Sequence, residues 1–340
     1  MKSVAILGAS GYGGGELIRL LDDHREFAVT YLGAHSQAGK RLGDVHPQLQ
    51  GGDRLLEENT ADLAGLDIAF LALPHGASGE LASQLAAAGV KVVDLGSDFR
   101  LDTPDRYEAA YGSPHPLPLE LPDWTYGLPE LFEVAGSDKV ASPGCYPTAT
   151  LLGLAPLLAA GAVSSEGIVV NAVSGVSGAG RSLKEDLLFG AIADGVRAYG
   201  VGTHRHRPEI EMALEAYTGL GPIHLTFTPH LVPMQRGIHA TTTVAVTDGV
   251  TENDLRGVLA EFGDGKPFVH AIDGPPQTRW AVGSNRAFVS VFLDEPTGNA
   301  VVLSAIDNLL KGAAGQAIQA ANLMFGFEES SGLSASGWMP

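Results

Sequence analysis

Only one cysteine, Cys145, occurs in 340 residues. An intramolecular disulfide and a thiolate cage for zinc are therefore both excluded. Positive charge is scarce as well: 21 Lys and Arg against 39 Asp and Glu leave a formal net charge of -18. A nucleic-acid-binding surface needs clustered cations for phosphate, so no such partner is expected. No apolar run reaches the length of a membrane span, and there is no internal repeat or low-complexity tract. The N-terminal MKSVAILGASGYGG passes from an apolar stretch into glycines rather than into a signal-type cleavage site. A cytoplasmic protein without a membrane partner is the expectation. HExxH and GxSxG are both absent, which counts against a metalloprotease helix and a serine-hydrolase elbow. What is present is 45% hydrophobic and 18% charged residues, the composition of a folded protein, in a chain long enough for two domains.

The first half alternates strand and helix. Residues 3–7 (SVAIL) form an apolar run that meets GASGYGGGE, after which Leu17, Ile18, Leu20 and Leu21 fall on one helical face. Glycines at 8, 11 and 14, with more at 13 and 15, let the backbone approach a pyrophosphate while a helix N-terminus points its N–H groups at it. Strands over 27–32, 67–73 and 90–95 and a helix over 77–88 continue the alternation. This order predicts an α/β fold with a Rossmann-type, doubly wound parallel sheet. An NAD-preferring site places an acid after its second strand, to accept from the ribose 2′-OH. Here that place reads GAHSQAGKR, with Ser36, Lys40 and Arg41 instead. A hydroxyl and two cations suit a 2′-phosphate, so NADP(H) is the expected cofactor; a solvated basic loop is the plainer alternative.

Cys145 lies in SPGCYPT, between a short strand at 139–141 and the helical TATLLGLAPLLAAG. With Pro147 as the first helical residue, the cysteine sits just ahead of a helix N-terminus. Partial positive charge there favours a thiolate, and the N–H donors suit an oxyanion. A lone cysteine is more often a small buried hydrophobe, but such residues lie on apolar faces rather than between Pro-Gly and a helix start. A thiolate also needs a proton carrier. Of the 11 histidines, His24 ends the first helix, and His46, His115 and His230 adjoin prolines in loop-like sequence. GTHRHRPEIEMALEAY is different. It sets His204, Arg205, His206 and Arg207 before a helix that opens with Pro208, Glu209 and Ile210, so that Glu209 can orient the His206 imidazole. The arginines suit an anionic substrate group. A surface cap with two ordinary histidines is the alternative, and no further ligand cluster supports a metal site there.

In chain order, GASGYGGGEL, LPHG, DLGSDFR, YGLPE, SPGCYPT, SGVSGAGR, HRHRPEI, PHLVPMQRG and DNLLKGAAGQAIQ resemble the markers of the N-acetyl-γ-glutamyl-phosphate reductases of arginine biosynthesis. The resemblance spans about residues 3–325. Ser142 departs from it, since the family often has asparagine there. The resemblance implies NADPH-dependent reduction of a small-molecule acyl phosphate, N-acetyl-γ-glutamyl phosphate, to N-acetylglutamate 5-semialdehyde through a thioester on Cys145, with release of phosphate. It implies His206 as the acid/base, with His204 in reserve. His239 of PMQRGIH is a third candidate, by likeness to the related aspartate-semialdehyde dehydrogenases. Arg100 and Arg205, with Glu209, are implied on the substrate. Gly8, Ser10, Gly11, Tyr12 and Gly13 are implied on the pyrophosphate, and Pro74, Ser174, Gly175 and Asn308 near the nicotinamide.

The implied fold is an NADP-binding domain over 1–144, joined by a segment of about 308–340, and an α+β catalytic and dimerisation domain over 145–307 with a mixed, largely antiparallel sheet. Strand-like runs at 169–176, 223–232, 239–247, 287–293 and 300–305, and an apolar-faced helix over 307–324, agree with it. A homo-oligomer, dimer or tetramer, follows from the same likeness. Two rivals stay open. One is the same chemistry on aspartyl or aminoadipyl phosphate; the other is a non-catalytic NADP-binding sensor, which needs the glycine turn but not Cys145 and HRHRPE together.

Overall fold

The computed structural model describes residues 1–339. The chain divides into two units, 1–143 with 313–333, and 144–312 with the residues from 334 onward. The sequence places these divisions at 144/145 and 307/308; contacts place them at 143/144 and 312/313 and return the last residues to the second unit.

In the first unit β1 (Lys2–Leu7), β2 (Phe27–Ala34), β3 (Glu57–Glu58), β4 (Ile68–Leu71), β5 (Lys91–Asp94), β6 (Thr125–Tyr126) and β7 (Lys139–Ala141) form one sheet. Its order is β3-β2-β1-β4-β5-β7-β6, and every pair is parallel. The central strands are apolar throughout because both their faces are covered; Val4 to Leu7 and Ile68 to Leu71 are wholly buried. α1 (Tyr12–Leu21) follows β1, and α2 (Leu42–Val45), α3 (Gly79–Ala87) and α4 (Pro104–Tyr111) lie in later connections. This is the expected Rossmann-type sheet. Its order reverses between β1 and β4, and the crevice beyond their carboxyl ends is where such a sheet takes a ligand.

Two buried carboxylates brace this unit. Asp98 Oδ2 accepts from the N–H groups of Ser78 (3.1 Å) and Gly79 (2.9 Å), which caps α3. The Ser78 hydroxyl lies 3.0 Å from Asp98 Oδ2 and 2.9 Å from Asp94 Oδ2. One hydroxyl proton cannot serve two carboxylates. Burial first, and the Asp98 charge second, push Asp94 up to about 7, so below that pH protonated Asp94 donates to Ser78 and Ser78 donates to Asp98. The folded value lies above the unfolded one of 3.8, so the stabilisation is full below that pH and is lost as pH rises through about 7. Asp94→Asn supplies a permanent donor. Its melting temperature relative to the parent is expected to rise by about 4 °C between pH 5 and pH 8, on the order of 2 kcal/mol. Calorimetry at the two pH values checks this, and a pH-independent difference refutes it.

The second unit holds β8 (Ile168–Ser174), β9 (Arg197–Ala198), β10 (Leu225–Leu231), β11 (Ile238–Ala245), β12 (Val269–Ala271), β13 (Ala287–Asp294) and β14 (Asn299–Ile306). They form a mixed sheet in the order β12-β13-β14-β11-β8-β10-β9, parallel only at β12/β13 and β8/β10. Alternation assigns the faces: Ile238, Ala240, Thr242 and Val244 of β11 are buried, and the residues between them are not. α5 (Cys145–Ala159) lies over β11 and β14. A Cβ on its Gly153 would stand 2.6 Å from Ser304 Oγ, so glycine permits the approach. α5 is buried from Tyr146 to Leu158, which is why it reads as an apolar block rather than as a stripe. A single turn, α6 (Phe189–Ile192), precedes α7 (His206–Thr218), which packs on α5 and β10. α8 (Glu252–Gly263) covers β12 and β13, and α9 (Thr278–Ala281) is again one turn.

The helix expected over 307–324 is in two pieces. Gly312 N–H donates to the Asp307 carbonyl at 2.9 Å, five residues back, so Leu310–Ala314 is a π-helical turn and only α10 (Gly315–Met324) is α-helical. Asp307 Oδ1 captures the Leu309 and Leu310 N–H groups (2.8 and 3.3 Å), a side-chain competition that keeps the α ladder from starting there. α10 packs on α1 and β5 in the first unit. His24 lies past the end of the first helix, not at it: α1 stops at Leu21, and buried His24 Nε2 lies 3.1 Å from both Asn322 Oδ1 and the Ser331 carbonyl. His230, expected in a loop, pairs within β10. Among the described residues no helix is long and apolar enough to cross a membrane.

Candidate active site

In the first unit the chain leaves β1 through Gly8 at φ +84°, where a Cβ would overlap the Ala72 carbonyl just past β4. At Gly14 a Cβ would overlap the Gly8 carbonyl and stand 2.7 Å from Ala9 Cα, so glycine lets α1 seat directly on the turn. Gly11 is its N-cap without a side-chain cap, and the first turn holds no acid. The N–H groups of Tyr12, Gly13 and Gly14 thus lack helical acceptors and lie at the positive end of the helix. Only the Ala72 Cβ, at 3.8 Å, lies near a Cβ built on Gly13. The Gly8 and Gly11 N–H groups bond the Gly33 and Gly8 carbonyls (3.0 Å each) and shape the turn of Gly8, Ser10, Gly11, Tyr12 and Gly13, whose helix-start amides and open space beside Gly13 suit a pyrophosphate.

Two of its supports are not legible in sequence. Asn59 Oδ1 accepts from Gly8 N–H at 3.1 Å, and His46 Nε2 lies 3.1 Å from the Ala9 carbonyl, in space that Gly15 leaves open. The glycine at 15, beyond the pyrophosphate spacing, is the one sequence signal that a side chain packs there. Ser36, Lys40 and Arg41 follow β2 and are exposed; Arg41 Nη1 pairs with exposed Asp53 at 3.1 Å, a surface pair of little strength. Pro74 follows β4 and its carbonyl accepts from Ala77 N–H at 3.1 Å. Arg100, expected on the substrate, directs Nε to the Ser142 carbonyl and Nη2 to the Leu95 carbonyl, each at 2.8 Å, and so fastens the end of β5 to the segment after β7.

In the second unit α5 begins at Cys145 itself. Gly144 is the extended N-cap, which makes Pro147 the third helical residue rather than the first. The first four amides of a helix have no helical acceptor, so proline is tolerated at each. α7 repeats the arrangement, with His206 first and Pro208 third. The two helix starts are tied together: Glu209 is fully buried and its Oε1 accepts from Gly144 N–H at 2.8 Å. Expected beside the His206 imidazole, this carboxylate reaches the amide next to Cys145.

Tyr146 is ringed by aromatic groups. The His204, His206 and Phe227 centroids lie 5.8, 6.0 and 5.4 Å from its own. The two imidazoles are 4.9 Å apart, and His204 Nδ1 accepts from the His206 backbone N–H at 3.2 Å, which puts the His204 ring proton on Nε2. Burial first, and the Arg205 cation second, push His204 down to about 4. Tyr199 O–H donates to the Tyr146 oxygen at 3.0 Å. Burial raises both phenols, Tyr199 to about 12, and the charge of nearby Cys145 adds to each rise. Arg205 is exposed at the N-cap of α7. His239 alternates with buried Ile238 and Ala240, so it points away from the face of β11 that carries α5.

Ser174, Gly175 and Asn308 come together where β8 and β14 end. The Ser174 hydroxyl lies 3.0 Å from the Gly175 carbonyl and bonds the Tyr146 hydroxyl. A Cβ on Gly175 would stand 2.8 Å from the Arg236 nitrogen, so two backbones touch there. Asn308 Oδ1 accepts from Gly237 N–H at 2.7 Å, and its Nδ2 donates to Ser177 Oγ at 3.0 Å.

Residues 3–137 match the family model described as semialdehyde dehydrogenase, NAD binding domain, and residues 145–308 match semialdehyde dehydrogenase, dimerisation domain. An N-acetyl-gamma-glutamyl-phosphate reductase of Heliobacterium modesticaldum is 42% identical over 100% of both chains. One of Salinispora arenicola is 48% identical over 99% of each. Among solved structures, aspartate semialdehyde dehydrogenase II from Vibrio cholerae superposes with a TM-score of 0.72 at 22% identity, over 95% of this chain and 98% of that one. Aspartate semialdehyde dehydrogenase with NADP from Candida albicans gives 0.68 at 20% identity, over 95% and 98%. These two structural likenesses speak to the fold.

Proposed function

The chain belongs to the N-acetyl-γ-glutamyl-phosphate reductase branch of the semialdehyde dehydrogenase family, and from that premise we propose a cytoplasmic enzyme of arginine biosynthesis that reduces N-acetyl-γ-glutamyl phosphate with NADPH. The products are N-acetylglutamate 5-semialdehyde, phosphate and NADP. The observation that carries this reading is Cys145 as the first residue of α5, its neighbouring amide held by buried Glu209 and the His204–His206 pair against Tyr146.

The Cys145 sulfur attacks the acyl carbon; the C–S bond forms as the bond to phosphate breaks. The positive end of α5 favours the thiolate, and its first-turn N–H groups stabilise the oxyanion. Bound NADPH supplies the hydride that turns the thioester into a thiohemiacetal. His206 protonates the thiohemiacetal oxygen and recovers the proton as the aldehyde leaves and the thiolate returns. Arg205, exposed at the start of α7, takes the substrate carboxylate or phosphate. In this role it is preferred to Arg100, which serves two backbone carbonyls. Ser10 to Gly13 hold the pyrophosphate, and Ser36, Lys40 and Arg41 the 2′-phosphate. Val169, Val173 and Thr241 on the half-open face of the second sheet form the contact of a homo-oligomer.

The test runs the reaction backward, with N-acetylglutamate semialdehyde, phosphate and either NADP or NAD, followed by absorbance of the reduced nicotinamide. Phosphate-dependent turnover is expected, with kcat/KM about tenfold or more in favour of NADP from the charge-assisted contacts. No turnover with this aldehyde removes the substrate assignment; equal efficiency with NAD removes the role of Ser36, Lys40 and Arg41 alone.

A further inference from the structure

We propose that Asp307 and Gly312 are positioning residues for Cys145, acting through the π-helical turn that joins them. The proposal rests on the reading of Cys145 as nucleophile. Gly312 is not among the glycines with positive φ, so backbone conformation does not require glycine there. Space does. A Cβ on Gly312 would stand 2.7 Å from the Cβ of Cys145, 3.2 Å from its Cα and 3.3 Å from the Asp307 carbonyl oxygen. The turn is thus packed on the bond about which the sulfur rotates, and the rotamer that swings Sγ toward it is closed. Isolated π turns inside helices are found frequently at functional sites, and here the turn delivers a bare backbone to the start of another helix.

Asp307 fixes the turn. It is fully buried, with Oδ1 accepting from Leu309 and Leu310 N–H and Oδ2 from Gly283 N–H (2.9 Å) and Arg236 Nη1 (3.4 Å). Its carbonyl accepts the Gly312 N–H that closes the π turn. A carboxylate accepts at both oxygens, whereas a carboxamide of the same shape accepts at one and confronts the other donors with its own N–H groups. Asp307→Asn therefore keeps the volume and loosens the turn. A sulfur freed to rotate leaves the donors of the α5 N-terminus, so the defect falls on the thiolate and not on the cofactor.

The test is alkylation of Cys145 by iodoacetamide across pH, with kcat and KM, on the full chain as wild type, Gly312→Ala and Asp307→Asn. Gly312→Ala is expected to lower kcat about 100-fold and Asp307→Asn about tenfold, with KM for NADPH within about twofold of wild type. In both variants the pH of half-maximal alkylation moves upward, because a thiolate off the helix end loses its stabilisation. Melting temperature and NADPH binding establish that each variant is folded, and shape-conserving Asp307→Asn decides the matter if Gly312→Ala is not. A wild-type alkylation profile and kcat in Asp307→Asn, or a loss confined to KM for NADPH, overturns the proposal and leaves the nucleophile standing. Full activity of alkylated wild type overturns both.

Discussion

Cys145→Ser is expected to bind NADPH and melt within about 1 °C of wild type while losing on the order of 10⁴-fold in kcat. Oxygen replaces sulfur at nearly constant shape at the start of α5, so packing against Tyr146 and Gly312 is preserved. What is lost is chemistry. A hydroxyl at neutral pH is almost wholly protonated, and an ester accepts hydride less readily than a thioester does. Steady-state turnover in both directions, calorimetry and NADPH titration separate these effects. Turnover within about tenfold of wild type would return Cys145 to an ordinary packing residue.

Exchanging each imidazole for asparagine decides which histidine serves the sulfur. His206→Asn is expected to lower kcat by about 10²- to 10⁴-fold and to abolish one limb of the pH–rate profile. His204→Asn is expected to cost about tenfold and to keep both limbs. The reasoning is electrostatic. An acid works best when its pKa is near the working pH, and burial together with Arg205 pushes His204 down to about 4. Its Nδ1 is already engaged by the His206 backbone N–H. On the proposed reading His204 fixes the entry of α7 as a neutral ring and His206 carries the proton. A larger loss in His204→Asn, with one limb missing, reverses the assignment.

Both sheets are legible in the amino-acid pattern because apolar runs of strand length, separated by glycine and proline, have few other readings. The glycine turn after β1 and the helix start beside Cys145 are legible as local structure, because steric room and proline position are local properties. The helix starts were misjudged by two residues, at Pro147 and at Pro208, because proline fits any of the first three helical positions. The π turn at 310–314 was read as plain helix, since an apolar pattern does not distinguish a bond to the fourth residue from one to the fifth. His46, Asn59 and Glu209 act through partners 37, 51 and 65 positions away in sequence. Such pairings exist only once the chain has folded, so beyond the room left at Gly15 no local pattern announces them.

Cys145 and His206 each open a helix with proline two residues further on. Helix ends ordinarily fray, and ordering a frayed turn on substrate binding consumes binding energy as lost backbone entropy. Proline has its φ fixed even in the unfolded chain, so much of that ordering is complete before any ligand arrives. On the proposed mechanism, more of the interaction energy with substrate is then free to lower the barrier to acyl transfer instead of assembling the groups assigned to it.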